Sequence, residues 1–231
     1  DITSLFTPKL KQLFILIILH SSRGGFGISS KDLTRMIWGN DNPSKSTKSL
    51  RSVSILKLRK ILERIDTVEV LFNANRYILQ LSEDVYCDYL ACLDWLKDKR
   101  VRTQPDFEYF YDIISKGEVF KGESFDWMDD FKSYICNSTM DVLSRFIDTY
   151  SIEDEADRVI QIADQILLND PCNEEALLYK IKALIYQNNF KLARYVYDRF
   201  CALYQEMYGE AFPSSFEQVV PSPLMSQQSP Q

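Results

Sequence analysis

Basic side chains are concentrated in one stretch of this sequence, residues 45–65. Ammonium and guanidinium groups bind phosphate oxygens by charge and by hydrogen bonding, so such a cluster is typical of a surface for a phosphate-rich polymer. The alternative is a solvated helix face, which runs of charge commonly form. A single acid, Glu63, accompanies seven cations: Lys45, Lys48, Arg51, Lys57, Arg59, Lys60 and Arg64.

Residues suited to covalent or metal chemistry are scarce. His20 is the only histidine, so a histidine-based triad or a His/Cys zinc site lacks its usual parts. Residues 39–46 approach a phosphate-binding loop, but Ser44 stands where a glycine would let the backbone wrap a phosphate. Carboxylates at 126–130 and 153–157 fall on helical patterns, where solvated faces are the simpler interpretation. We therefore predict no enzyme activity, no cofactor and no metal site.

Hydrophobic periodicity puts the basic stretch on a helix. Ile55, Leu58 and Leu62 recur at the spacing of one helix face and predict a stripe that faces the core. Lys57 and Lys60 fall on the opposite side. The pattern indicates an amphipathic helix whose cations face away from the core.

Helices and a hairpin are predicted around this basic helix. Residues 8–20 form an apolar helix, although their β-branched side chains leave a strand open. A shorter helix follows, with Ser29 or Ser30 as its cap, and Trp38-Gly39 ends it. Alternating apolar residues over 68–81 predict a hairpin, with Asn73 and Asn75 available for positive φ in its turn.

The order helix, helix, basic helix, hairpin is that of a winged helix-turn-helix, which lays its third helix in the major groove of DNA. Charge supports a boundary after residue 82, because residues 1–82 carry 13 lysines and arginines against 6 acids. The remaining residues carry 14 against 27. A basic front and an acidic back predict two domains with different partners.

From Glu83 onward only helical stripes recur, and the last of them form pairs in the tetratricopeptide style. We predict a mainly α fold with a small β-hairpin wing. Its domains are an N-terminal winged helix-turn-helix (1–82), a C-terminal tetratricopeptide-like α-helical domain (83–220) and a disordered tail (221–231).

Cysteine usage and hydropathy indicate a cytoplasmic chain. The five cysteines include no CxxC pair, so we expect free thiols in a reducing compartment rather than a disulfide framework. The longest apolar run has seven residues, far short of the roughly 20 that span a bilayer. We expect a cytoplasmic protein, or the cytoplasmic part of a longer, membrane-anchored regulator.

Several motifs resemble the OmpR-like winged helix of bacterial transcription factors: Trp38-Gly39, Leu58-Arg59 in the basic helix, and Arg76-Tyr77-x-Leu79 on the wing. Residues 166–200 resemble the bacterial transcriptional activator domain that follows such winged helices. In this order they resemble regulators of the Streptomyces antibiotic regulatory protein type. The resemblance implies a transcription regulator without a cofactor.

The resemblance also implies which side chains meet double-stranded DNA. These are Lys48, Arg51 and Ser52 near the start of the basic helix, Lys57, Arg59 and Lys60 further along it, and Arg76 on the wing. RNA polymerase, a sensor segment and a second copy of the chain are the further partners to consider for the helical domain.

Two residues depart from the family pattern. Val53 and Leu56 lie on the outward face of the basic helix, where the family generally shows polar or basic side chains. They suit contacts with thymine methyl groups, or they mark a surface for protein contact. The alternative function is therefore a protein–protein interaction module on a winged-helix scaffold that has lost DNA binding.

Overall fold

The computed structural model describes residues 2–22, 25–39, 44–65, 67–98 and 102–220. These residues form two units. One unit contains the described residues up to Asp98 together with Val119–Phe131, and the other contains those of Lys99–Glu118 and those from Lys132 onward. The predicted tail (221–231) lies outside the described residues, as do residues 40–43 of the loop before the basic helix.

The first unit is a small sheet packed against helices, which confirms the predicted winged-helix order. Its elements are α1 (Pro8–Ser22), β1 (Ile28–Ser29), α2 (Ser30–Trp38), α3 (Lys45–Leu62), β2 (Val68–Asn73), β3 (Arg76–Leu81) and α4 (Asp88–Lys97). Leu13 and Leu16 of α1, Leu33 of α2 and Leu58 of α3 are fully buried in one core beneath the sheet. The helix prediction for residues 8–20 is confirmed, because tertiary burial overrides the β propensity of the isoleucines.

The sheet has three antiparallel strands in the order β1-β3-β2. Strand β1 was not predicted, because two residues are too few to show an alternating pattern. In the turn between β2 and β3, positive φ is adopted by Ala74 (46°) and Asn75 (62°). The prediction that Asn73 takes such a position is wrong, since Asn73 pairs with Arg76 as the last rung of the ladder. Two central residues with positive φ match the hairpin turn that follows the natural twist of a sheet.

Side-chain caps fix the ends of α2 and α3. The Ser29 hydroxyl accepts a hydrogen bond from the Asp32 amide (3.0 Å), and Gly39 closes α2 in the left-handed conformation. Ser44 caps α3 by accepting from the Thr47 amide at 3.1 Å. These caps confirm that the basic stretch forms a helix separate from α2.

Helices are the only regular secondary structure in the described residues of the second unit. Its helices are α5 (Gln104–Ile114), α6 (Asp129–Ile147), α7 (Ile152–Asn169), α8 (Glu174–Tyr186), α9 (Phe190–Tyr208) and α10 (Phe216–Val219). The first three residues of α6 belong to the first unit, and the second unit begins again at Lys132. Helix α8 packs between α7 and α9, and Leu177, Ile181 and Leu184 of α8 are buried there. The predicted tetratricopeptide-like character of this unit stays a prediction.

Polar and aromatic contacts stabilise the second unit. Arg158 of α7 forms an ion pair with Glu108 of α5, and its guanidinium lies 4.0 Å from the ring centroid of Tyr111. After α9 the chain folds back so that Phe212 contacts Phe200. The Tyr197 hydroxyl donates to the Ser214 carbonyl at 2.6 Å. Several aromatic side chains of this part therefore pack within the unit.

Candidate nucleic-acid interface

Helix α3 has one buried face and one cationic face. Ile55 and Leu58 are 4% and 0% exposed, which confirms the predicted core stripe. Lys48, Lys57 and Lys60 are all exposed. Lysine heads on flexible stems at such positions reach a phosphate backbone without rearranging the fold.

An apolar strip accompanies the lysines. Leu50, Val53 and Leu56 are 53%, 49% and 55% exposed, so all three side chains point away from the core. Sequence reasoning identified Val53 and Leu56 but missed Leu50. The signal was available, because a residue three positions before Val53 lies on the same side of a helix.

Arg51 joins α3 to α2. Its Nη1 donates to the Ser30 carbonyl and to the Thr34 hydroxyl, both at 2.9 Å. Thr34 in turn donates to the same Ser30 carbonyl at 2.6 Å. Arg51 is half-buried, so this predicted DNA contact also fixes the position of α3 on the fold.

The start of α2 also holds the wing. The Ser30 amide donates to the Asn75 carbonyl in the hairpin turn at 3.0 Å. Nearby, Nη1 of Arg76 donates to the Gly27 carbonyl at 2.8 Å. Because Arg51 binds the Ser30 carbonyl, one short segment connects α3 with the wing. The network sets the spacing between the two elements that a winged helix presents to DNA.

Arg59 makes a second connection between α3 and the sheet, as its Nε donates to the Val70 carbonyl of β2 at 2.9 Å. Ser52 donates to the Lys48 carbonyl one turn earlier at 3.1 Å. A guanidinium carries five N–H donors, and the hydrogen bonds of Arg59 to Val70 and of Arg76 to Gly27 use one donor each. Arg59 and Arg76 are exposed overall, and each keeps donors for a further partner.

The wing carries exposed aromatic surface that the sequence reasoning did not identify as part of the site. Phe72, at the end of β2, is 51% exposed, and its ring centroid lies 4.7 Å from that of Tyr77. Alternation suggested that Phe72 would be buried like Val68 and Val70, but the core ends before the hairpin tip.

The seven predicted site residues divide into two groups. The three lysines and Ser52 are exposed, whereas the three arginines also form hydrogen bonds that hold the fold together.

Removing the Arg51 guanidinium is expected to loosen α3. In Arg51→Met the apolar stem remains, but the Thr34 hydroxyl and Ser30 carbonyl lose a charged donor. We expect a loss of roughly 1–3 kcal/mol in the free energy of unfolding. Urea unfolding followed by tryptophan fluorescence measures it, because Trp38, Trp95 and Trp127 all belong to the first unit. Lys60→Met is the control, with an expected change within about 0.5 kcal/mol.

Other reactive groups in the described residues do not form a site. No three His, Cys, Asp or Glu side chains there lie close enough together to hold a metal ion. All five cysteines are free thiols, and burial raises the pKa of Cys92 to about 11. That thiol stays protonated and unreactive near neutral pH. Within the described ranges, no helix combines the length and apolarity needed to cross a membrane.

The fold is similar to that of EmbR from Mycobacterium tuberculosis, solved in complex with a low-affinity phosphopeptide. The match has a TM-score of 0.57 at 15% sequence identity, and it covers 98% of this chain and 61% of the EmbR chain. No family model matches the sequence, and no curated protein matches it. The chain thus shares the fold seen in EmbR, a winged helix with a small sheet followed by a helical domain.

Proposed function

We propose that this chain is a bacterial transcription regulator that binds duplex DNA through α3 and the wing. The observation that carries the proposal is the exposed lysine face of α3, formed by Lys57 and Lys60 opposite the buried stripe, together with the exposed Lys48 near the start of the helix. The major groove of B-DNA, about 12 Å wide, admits one α-helix. A cationic helix face beside a hairpin suits this groove and its phosphate margins. The proposal locates the protein in the cytoplasm.

The predicted site residues take distinct roles in this proposal. The three lysines and Ser52 contact phosphates and groove edges. Arg59 and Arg76 hold the sheet and wing with one donor, and offer other donors to the backbone. Arg51 acts mainly as a positioning residue, because Ser30 and Thr34 occupy its Nη1.

The helical unit is proposed to control assembly and regulation through protein contacts. The solved complex of EmbR contains a phosphopeptide, which supports protein partners for regulators with this fold. This chain spans 61% of the EmbR chain, so the phosphopeptide itself is not carried over. RNA polymerase, a sensor segment and a second copy of this chain remain the candidate partners. The predicted boundary at residue 82 and the tetratricopeptide-like character belong to this proposal.

A second function is favoured by one observation. Leu50, Val53 and Leu56 expose a strip of aliphatic side chains on the same helix. In a protein–protein interaction module this strip would bind a partner, and the lysines would only maintain solubility. The two functions differ in whether the lysines act through charge on a polyanion.

Fluorescence anisotropy of the whole chain on labelled random-sequence duplex, across a salt series, tests DNA binding. The logarithm of affinity should fall by about 0.9 per phosphate contact for each log unit of salt. Four contacts therefore predict a slope of about −3.6. Failure to bind at about 50 mM salt, with the helical circular dichroism spectrum intact, would refute the proposal and favour the interaction module.

A further inference from the structure

The three exposed apolar side chains of α3 stand among its lysines. Leu50, Val53 and Leu56 are each about half exposed, and they follow one another at intervals of three residues. Exposed aliphatic surface of this size gains free energy only when a partner removes it from water. Whatever covers this strip must also accommodate the positive charge of Lys57 and Lys60 beside it.

The strip has the length of a short DNA reading element. At a rise of 1.5 Å per residue, Leu50 and Leu56 are separated by roughly 9 Å along the helix axis. This is close to three base-pair steps of about 3.4 Å each. The flanking lysines then meet an anionic partner, and a groove bordered by phosphates supplies the charge complement.

We propose, as an extension of the DNA-binding function above, that Leu50, Val53 and Leu56 recognise thymine through its C5-methyl group. The edges of base pairs in the major groove present hydrogen-bonding groups and one apolar group, which is the thymine methyl. Aliphatic side chains donate and accept no hydrogen bonds, so the methyl is the feature they can distinguish. The chain therefore prefers sites with thymines on consecutive base pairs, where the lysines contribute affinity and the aliphatic strip contributes specificity.

Arg51 and the Ser30 segment support this role by fixing the strip in place. Nη1 of Arg51 joins α3 to α2 through the Ser30 carbonyl and the Thr34 hydroxyl, both at 2.9 Å. The Ser30 amide in turn donates to the Asn75 carbonyl in the hairpin turn. A recognition helix held to α2 by Arg51 and to β2 by Arg59 presents its outward side chains at a constant depth. Discrimination by a single methyl group needs such a fixed distance, since dispersion contacts weaken steeply with separation.

The test begins with selection of bound duplexes from a random pool by the whole chain. The selected site is then synthesised with each thymine replaced by deoxyuridine, which lacks only the methyl group. We expect affinity to fall about three- to fourfold for each contacted methyl. The salt slope of binding should be unchanged, because no phosphate contact is lost. Leu50→Ser/Val53→Ser/Leu56→Ser should lose the preference for thymine over uracil and keep that slope.

The outcomes separate this inference from the proposed function. Equal binding of the thymine and uracil duplexes, with a steep salt slope, overturns methyl recognition and leaves DNA binding standing. Absence of binding to any duplex at low salt overturns both, and assigns the strip to a protein partner. The three substituted positions are exposed, so the urea unfolding midpoint followed by tryptophan fluorescence should be unchanged. An unchanged midpoint shows that the triple variant is folded.

Discussion

Replacing Gly27 with alanine is expected to unfold the winged-helix unit or to destabilise it severely. Gly27 has φ +65°, and a Cβ there would overlap the carbonyl oxygen of Tyr77 and lie 2.5 Å from Cγ1 of Ile78. The neighbouring Ile28 pairs with Tyr77, so the overlap pushes β1 away from β3. Backbone strain and steric overlap together predict a loss of about 3–5 kcal/mol.

Gly39→Ala is the matched control, because Gly39 has the same φ of +65° but no heavy atom of the described residues lies within 4 Å of its added Cβ. That substitution should cost only about 1 kcal/mol, the usual cost of a left-handed position. Urea unfolding monitored by tryptophan fluorescence compares the two variants. Similar losses for both would show that β1 does not approach β3 as closely as described.

Removing three lysine charges from α3 is expected to abolish most DNA affinity without affecting folding. In Lys48→Ala/Lys57→Ala/Lys60→Ala the slope of log affinity against log salt should become shallower by about 2.7, or 0.9 per lost phosphate contact. At about 0.15 M salt this corresponds to a loss on the order of a hundredfold. All three side chains are exposed, so the unfolding midpoint should barely change.

A control variant distinguishes local contacts from net charge. Lys121→Ala/Lys182→Ala/Lys191→Ala removes the same charge outside α3 and the sheet. We expect at most a few-fold loss of affinity, with no change in slope, because these lysines are not among the proposed phosphate contacts. Equal losses for the two triple variants would show that DNA binding depends on overall charge rather than on α3.

The periodic helices and strands of the fold could be predicted from the sequence, but the short strand β1 and the turn conformation at Ala74 could not. The 3.6-residue stripe of Ile55, Leu58 and Leu62 and the caps at Ser29 and Ser44 each have a local signal. Strand β1 has no such signal, since it is defined only by pairing with β3. Positive φ at Ala74 was equally hidden, because alanine rarely takes that conformation and the hairpin register imposes it.

Charge alone could not separate the roles of the basic side chains. Lys57 and Arg59 are close in sequence, but Arg59 reaches the Val70 carbonyl while Lys57 is exposed. Arg51 bridges positions 17 and 21 residues away, a pairing that no local pattern reveals. The DNA-binding set thus stays a prediction, refined by which cations the fold already engages.

Lysine acetylation followed by mass spectrometry, with and without duplex DNA, tests most directly whether α3 meets DNA. The extent of acetylation measures the accessibility of each exposed lysine in the chain without substitutions, so no variant has to fold. We expect duplex DNA to slow acetylation of Lys48, Lys57 and Lys60 strongly. Lys121 and Lys191, which are also exposed, should react at unchanged rates. DNA binding that leaves the three α3 lysines as reactive as before would contradict the proposed interface.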